Sequence, residues 1–283
     1  MRLFLLTSLT MIAFAANSIL NRVALADGDM DPIGFGVLRL VSGASMLGLL
    51  MIWQRRSLSL RGAGRGIGTM SLLVYIFGFS LAYQVLDAGL GALILFGMVQ
   101  ITMFAGSWIG GERPGAQRWA GAALAFAGLC WLLWPGQGLA PSVWHAVLMA
   151  AAGVGWGVYS LNGRRAGSPL ADTGGNFILA SVIALFGYGA LLLSAETYAA
   201  PPTAFGVGMA VLSGAVTSGL GYALWYSVLP QLRGSTASVA QLTVPVIAIA
   251  AGSVLLSETV GLRLVIAAAL VLGGVLLAVT SRR

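Results

Sequence analysis

An all-α, polytopic membrane protein is the fold class this sequence predicts, and three observations predict it. Apolar residues fill 58% of the 283 positions and charged residues only 8%, where a soluble domain carries about 25% charged residues. Mean hydropathy is +0.93. The apolar residues gather into runs of about 20, the length a helix needs to cross a ~30 Å hydrocarbon core. With 15 basic and 8 acidic residues, a water-facing surface of this size would lack its polar cover. A soluble enzyme, a disordered chain and a nucleic-acid binder are thereby excluded.

Ten such runs follow one another, at roughly 3–21, 32–52, 66–86, 90–110, 116–134, 143–162, 174–194, 206–229, 236–256 and 261–280. The first lies between Arg2 and Arg22. Its Ala13-Phe-Ala15 mimics a signal-peptidase site, but the segment has an internal counterpart later in the chain, which a cleaved leader would lack. Asp27-Gly-Asp-Met-Asp-Pro32 separates it from the second, and Gln54-Arg-Arg56 closes the second. The third and fourth are divided at Asp87-Ala-Gly89, where the run barely pauses. Gly111-Glu-Arg-Pro114 precedes the fifth, Pro135-Gly-Gln-Gly138 the sixth and Ala200-Pro-Pro202 the eighth. The loops are short, and no extramembrane domain is expected.

Orientation follows from the basic residues, all of which are Arg. With the N-terminus inside, Arg2, Arg55, Arg56, Arg61, Arg65, Arg113, Arg118, Arg164, Arg165, Arg233, Arg282 and Arg283 are cytoplasmic, twelve of fifteen. Arg22 and Arg263 fall outside, and Arg39 within the second span. Asp27, Asp29, Asp31, Asp87, Glu196 and Glu258 are outside, against Glu112 and Asp172 inside. Both termini are expected in the cytoplasm. Scattered Arg residues read as topology determinants rather than as a polyanion site. The absence of Lys leaves no Schiff-base residue, and the single cysteine, Cys130, reads as a buried structural thiol.

The second half resembles the first. Leu81-Ala-Tyr-Gln-Val-Leu86 matches Leu224-Trp-Tyr-Ser-Val-Leu229, and Gly111-Glu-Arg113 with Ala127-Gly128 matches Ser257-Glu-Thr259 with Gly273-Gly274. Ala16-Asn-Ser18 with Arg22 sits against Val158-Tyr-Ser160 with Arg164. The repeats are expected at 1–136 and 137–283, five spans each, forming one integrated membrane domain. An odd number of spans forces the halves into opposite orientations, the inverted-repeat design of secondary transporters.

The residues just quoted also carry a family resemblance. Asn17 and Arg22 close the first helix, Pro32, Phe35 and Arg39 open the second, and Leu81-Ala-Tyr83 is followed by Ala88-Gly-Leu-Gly-Ala92. Gly111-Glu-Arg113 leads to Gln117 and Gly121, and Pro245 precedes Ser257-Glu258. Over essentially its whole length the chain resembles the drug/metabolite transporter superfamily, specifically its ten-helix EamA-type members. The resemblance implies two five-helix halves around a central cavity, and export of amino acids or other small metabolites across the bacterial inner membrane. One departure matters: the position near Val99, partner of Pro245, is not proline, so a hinge role carries over to Pro245 alone.

Candidate chemistry is sparse. No GxxxxGK[ST] is present, so the chain does not hydrolyse ATP itself. Asp87, Glu112, Glu196 and Glu258 lie at span ends, and His145 opens the sixth span as a solvated or capping residue. No mid-membrane proton relay is evident, and facilitated diffusion or exchange is the economical expectation. Arg39 has two readings: it binds a substrate carboxylate, or it snorkels outward to Asp27, Asp29 or Asp31. The three nearby acids favour the second.

Asn17, Gln84, Gln100 and Gln241 are amides inside apolar runs, where a polar group without a partner is costly. Tyr83, Trp156, Tyr159, Tyr222, Trp225 and Tyr226 lie away from the interfacial belt where Trp and Tyr concentrate. Tyr222, Trp225 and Tyr226 share one helix face, as do Trp156 and Tyr159. Ordinary helix packing explains any one of these residues. As a set they describe an aromatic-lined pocket with a few amides, suited to a zwitterion with an apolar or aromatic side chain. Tyr83, Gln84, Tyr226 and Ser227 hold equivalent places in the two repeats, on opposite sides of one cavity.

The expected function is export of small metabolites by alternating access, with amino acids the leading cargo. The partners are then that small molecule and the bilayer, with no nucleic acid and no obligate protein partner. A nucleotide-sugar carrier is the alternative, and would want more cations than Arg39. An intramembrane enzyme would need HExxH, a Ser/His pair or paired aspartates, and none occurs. Neither a cofactor nor a metal is called for. At 40 glycines, about five or six GxxxG matches arise by chance, so Gly106…Gly110 and Gly153…Gly157 fit packing within the monomer equally well.

Overall fold

The computed structural model describes residues 1–56, 60–62, 64–111, 113–134, 142–163, 168–194, 201–232 and 234–280. Among these residues every regular element is helical, and no strand occurs. The helices are α1 (Arg2–Ala26), α2 (Pro32–Trp53), α3 (Arg65–Ala82), α4 (Ala88–Ile109), α5 (Ala116–Leu133), α6 (Val143–Gly163) and α7 (Pro169–Ser194). There follow α8 (Ala204–Leu212), a π-helical segment π1 (Ser213–Leu220), α9 (Gly221–Val228), a 3-10 turn (Leu229–Gln231), α10 (Gly234–Gln241), α11 (Thr243–Leu256) and α12 (Leu262–Val279).

Among the described residues eight helical stretches are long and apolar enough to cross a bilayer. Ala116–Leu133 and Val143–Gly163 are not among them, because Gln117 and Arg118 open α5 while His145 and Asn162 lie near the ends of α6. Large apolar side chains point outward: Phe186 is 77% exposed and Leu193 91%. Contiguous apolar surface of this kind is satisfied by lipid rather than water. The chain is a multi-pass membrane protein.

Several boundaries differ from those the hydropathy pattern suggests. The first helix runs on to Ala26 and takes in Arg22. The third ends at Ala82 rather than 86, which moves Tyr83 and Gln84 into the turn before α4. The seventh begins at Pro169, bringing Asp172 into its first turn. The ninth run is broken at Leu242. Pro245 explains the break, for it has no N–H to offer the Gln241 carbonyl and its ring crowds that turn.

The eighth run is continuous but changes winding. Within π1 the Thr217 hydroxyl donates to the Ser213 carbonyl at 2.9 Å, competing with the backbone ladder. A Cβ on Gly214 would collide with the Arg39 carbonyl and the Ser42 hydroxyl, so π1 lies with its backbone against α2. Glycine makes two other seams. Gly153 and Gly157 bring α6 onto Leu95, Met98 and Thr102 of α4, while Gly155 meets the Ser71 carbonyl of α3. Gly153…Gly157 is therefore used inside the chain. Gly121 of α5 and Gly274 of α12 face each other backbone to backbone. Cys130, expected to be buried, is instead exposed on α5, because the α12 seam takes the Gly121–Gly128 face of that helix.

Charged groups join helix ends. Asp87, the N-cap of α4, makes no side-chain cap bond. Glu258 supplies it from across the molecule, accepting from the Ala88 N–H with both oxygens at 2.8 and 3.0 Å. A carboxylate there meets the positive end of the α4 dipole. It reaches that position because Ser257 is left-handed (φ 55°) and because Gly252 leaves room for the carboxylate. Arg22 completes the cluster, 3.5 Å from Asp87 and 3.6 Å from Glu258. Elsewhere Arg65 pairs with Asp172 at 2.7 Å and donates to Asn176 at 2.9 Å. Each pair joins residues that the Arg count assigns to one side of the membrane. Glu112 lies outside the described residues.

Burial pushes the Glu258 carboxyl above its ordinary value of 4.5; Asp87 adds to the rise, while the Ala88 N–H and Arg22 oppose it. A carboxyl with a raised folded value contributes stability that is fully present below the unfolded value and lost as pH rises through the folded one. The wild type should therefore lose thermal stability relative to Glu258→Gln as the pH goes from about 4 to 7, measured as Tm in detergent. The π1–α2 contact has its own test. Gly214→Val should cost about 1–3 kcal/mol by overpacking. Gly208→Ala, where a Cβ meets nothing, should be neutral or gain up to about 1 kcal/mol.

Candidate functional site

Five helices bring aromatic side chains to one point inside the bundle. Phe14 of α1, Tyr75 and Phe79 of α3, Leu95 and Phe96 of α4, Trp156 of α6 and Tyr222 of α9 line a narrow cavity. Helical spacing aligns them: Tyr75 and Phe79 are one turn apart, as are Trp156 and Tyr159. Trp156 is the hub. Its ring centroid lies 4.8 Å from Tyr222, 5.0 Å from Tyr75, 5.8 Å from Phe14 and 5.6 Å from Tyr159, the last stacked at 24°. Trp225 packs edge-on to Phe14 at 6.0 Å. The space open to the centre of a water molecule is about 10 Å³, no more than one water needs.

A polar layer adjoins these rings. Arg39 is fully buried, donating through Nε to Ser218 at 3.0 Å and through Nη2 to the Tyr75 hydroxyl at 2.9 Å. Its guanidinium carbon lies 5.2 and 5.1 Å from the Tyr75 and Phe79 ring centroids, within cation–π range. The expected ties from Arg39 to Asp27, Asp29 or Asp31 do not form. Arg39 lies about 12 Å along the helix axis from the Asp31 cap, on the inward face of α2. Asp31 instead accepts from the Gly34 N–H at 2.7 Å and the Tyr188 hydroxyl at 2.9 Å, and Asp29 accepts from Thr203 at 2.9 Å.

Asn17 belongs to a second polar group, which ties α1 to π1 and α3. Its Oδ1 accepts from Ser213 at 2.7 Å and from Thr217. Asn21 donates to the Asn17 carbonyl at 2.9 Å and accepts from Ser80 at 3.0 Å. These amides and hydroxyls satisfy one another, so Asn17 is placed to hold helices rather than to face the cavity.

The remaining expected residues divide. Tyr159 is buried and donates to Thr173 at 3.2 Å, and Tyr222 is buried with its hydroxyl in hydrogen-bond geometry with no neighbour. Tyr83 caps α3, donates to the Ala88 carbonyl at 3.1 Å and packs on Gly91 and edge-on to Phe79 at 4.6 Å, one residue removed from the cavity lining. Gln84 is exposed beyond the end of α3, and Ser227 is exposed too. The expected pairing of Tyr83 and Gln84 with Tyr226 and Ser227 across a cavity therefore fails, because α3 ends one turn early. Tyr226 is half-buried near Gly163. Gln100 on α4 and Gln241 at the end of α10 each keep one polar atom unpartnered, outside the cavity lining. His145 meets the Ser142 hydroxyl at 2.7 Å, as a capping residue does.

Phe14, Tyr75, Phe79, Leu95, Phe96 and Ser218 are the site residues that sequence reading missed. The one-turn spacing of Tyr75 and Phe79 was a usable signal, whereas nothing in the sequence distinguishes the buried Phe14 from the lipid-facing phenylalanines. Among the described residues no three His, Cys, Asp or Glu side chains gather to hold a metal.

Comparison with known proteins completes the picture. Two stretches, residues 1–134 and 143–280, match the profile of the EamA-like transporter family. An uncharacterized protein of Pseudomonas aeruginosa is 46% identical over 282 residues, spanning 99% of this chain and 96% of that one. A crystal structure of 19% identity superposes with a TM-score of 0.68, covering 98% of this chain and 96% of the other, which shows a shared fold.

Removing the Asn17 amide would leave the Ser213 hydroxyl without its acceptor and Thr217 with the Ser213 carbonyl alone. Asn17→Ala should lower stability by about 1–3 kcal/mol while leaving ligand affinity in the folded fraction unchanged, checked by thermal denaturation alongside a binding titration.

Proposed function

The chain belongs to the EamA-like transporter family, and we propose that it moves amino acids with apolar or aromatic side chains outward across the bacterial inner membrane. The Trp156-centred cavity carries this reading. Its walls are aromatic and aliphatic, and the fully buried Arg39 stands beside them. A cargo rich in phosphate, such as a nucleotide sugar, would find too little positive charge there.

Alternating access fits a cavity this small, since admitting an amino acid requires the surrounding helices to part. The glycine seams, the π1 segment and the α10–α11 break beside Pro245 are the places where they would move. We read the bundle as ten spans in two inverted repeats, 1–136 and 137–283, with α8 to α9 forming one span and α10 with α11 another. The helix pairings support this. The contact of α6 with α3 is mirrored by that of α1 with π1 and α9, and the contact of α6 with α4 by that of α1 with α11. The contact of α2 with π1 is mirrored by that of α3 with α7, while α2–α7, α4–α11 and α5–α12 pair equivalents with each other. Both termini then face the cytoplasm. The buried polar groups near the cavity are neutral apart from Arg39, which favours a facilitator or exchanger over proton coupling.

Purified protein in liposomes preloaded with radiolabelled phenylalanine or leucine provides the test. Counterflow should occur and should not require a pH gradient. Trp156→Ala should cut the rate about tenfold or more by removing the hub ring. Absence of flux for every amino acid tried would refute the cargo assignment, and a strict need for a proton gradient would refute the facilitator reading.

A further inference from the structure

Arg39 carries a charge that no described carboxylate balances. It is fully buried, and among the described residues no carboxylate pairs with it. Ser218 and Tyr75 occupy Nε and Nη2, but Nη1 makes no hydrogen bond. The Tyr222 hydroxyl is also buried and interacts electrostatically with the Arg39 guanidinium and with Tyr75, but meets hydrogen-bond geometry with neither. Two idle donors, one of them cationic, thus stand together at the wall that Tyr75 and Tyr222 share with the cavity.

Arginine does not lose its proton at any relevant pH. Ring faces and neutral hydroxyls offset only part of the cost of burying that charge away from water. What would complete the cluster is a single anion with lone pairs for Nη1 and for the tyrosine O–H. A carboxylate has that geometry, since its two oxygens can be shared between a guanidinium and a neighbouring donor. A phosphate dianion would leave one negative charge unbalanced, for among the described residues no second cation adjoins the cavity lining.

We propose that Arg39 and Tyr222 form the site for one carboxylate of the transported molecule, with Tyr75 and Ser218 as positioning residues that fix the guanidinium plane. The proposal deepens the amino-acid reading and rests on it for the identity of the cargo. It adds that the carboxylate, rather than the ammonium, is the group this protein requires. The decarboxylated amine and the carboxamide of a good cargo should be refused, and a carboxylate lacking the amine should still bind.

Equilibrium binding to the full-length protein in detergent tests this, read by tryptophan fluorescence and by Tm. The probes are phenylalanine, 3-phenylpropionate, phenethylamine, phenylalaninamide and sodium chloride. Phenylalanine and 3-phenylpropionate should bind, while the amine and amide should bind about tenfold more weakly or worse. Arg39→Gln should abolish that preference. Tyr222→Phe, which keeps the ring and serves if Arg39→Gln does not fold, should weaken both carboxylates severalfold without affecting the amine. Equal binding of phenethylamine and phenylalanine, or unchanged carboxylate affinity in Tyr222→Phe and Arg39→Gln, would overturn the proposal. Protection by chloride matching that by the carboxylates would also overturn it, marking an inorganic-anion site. If no amino acid is transported but 3-phenylpropionate binds in an Arg39-dependent way, the cargo reading fails and the carboxylate site stands.

Discussion

The close approach of π1 to α1 and α2 is the contact on which the rest of the bundle depends. Gly214 removes the side chain that would hold the segment off, and the Arg39 carbonyl and Ser42 occupy the vacated space. Ser213 and Thr217 then reach Asn17, and Ser218 reaches Arg39. In hydrocarbon, unpaired polar groups cost several kcal/mol each, so these bonds can form only together. The widened π winding turns all three hydroxyls toward α1 and α2, and it also sets Tyr222, at the start of α9, against Trp156 and Phe14. Structure and site thus share one segment of backbone.

A second constraint acts at the helix ends. Lipid supplies no water to a helix terminus, so α4 takes its cap from Glu258, which lies 170 residues away in sequence. Arg22 bridges that carboxylate and Asp87, and α1, α4 and α11 are joined there. At another helix end Arg65 joins α3 to α7 through Asp172 and Asn176. Charge scarcity in the spans and charge pairing at their ends belong to one design.

Most of the helical scaffold was legible in advance because lipid imposes a length and an apolar composition that few other folds share. Trp156, Tyr159, Tyr222 and Trp225 were legible as a group through one-turn spacing. Tyr83 and Gln84 were not, since α3 ends at Ala82 and hydropathy continues through the turn without a break. Arg39 was visible as a charge within a span, but its direction was not. Three acids close in sequence suggested an outward tie, whereas the partners it uses, Tyr75 and Ser218, are 36 and 179 residues away. Cys130 failed for a related reason: an apolar stretch in a membrane helix has a lipid face as well as a core face, and composition does not separate them.

By itself the sequence determined that the chain is a helical membrane protein, where its spans begin within a few residues, and which side chains are too polar for lipid. Those properties follow from transfer energies that each residue carries alone. Only the tertiary structure decided that π1 is wound to meet α2, that Glu258 caps α4, and that Arg39 turns inward with one nitrogen idle beside Tyr222. Such features depend on which helix lies against which, and a hydrogen bond or a glycine contact has no energy until its partner arrives.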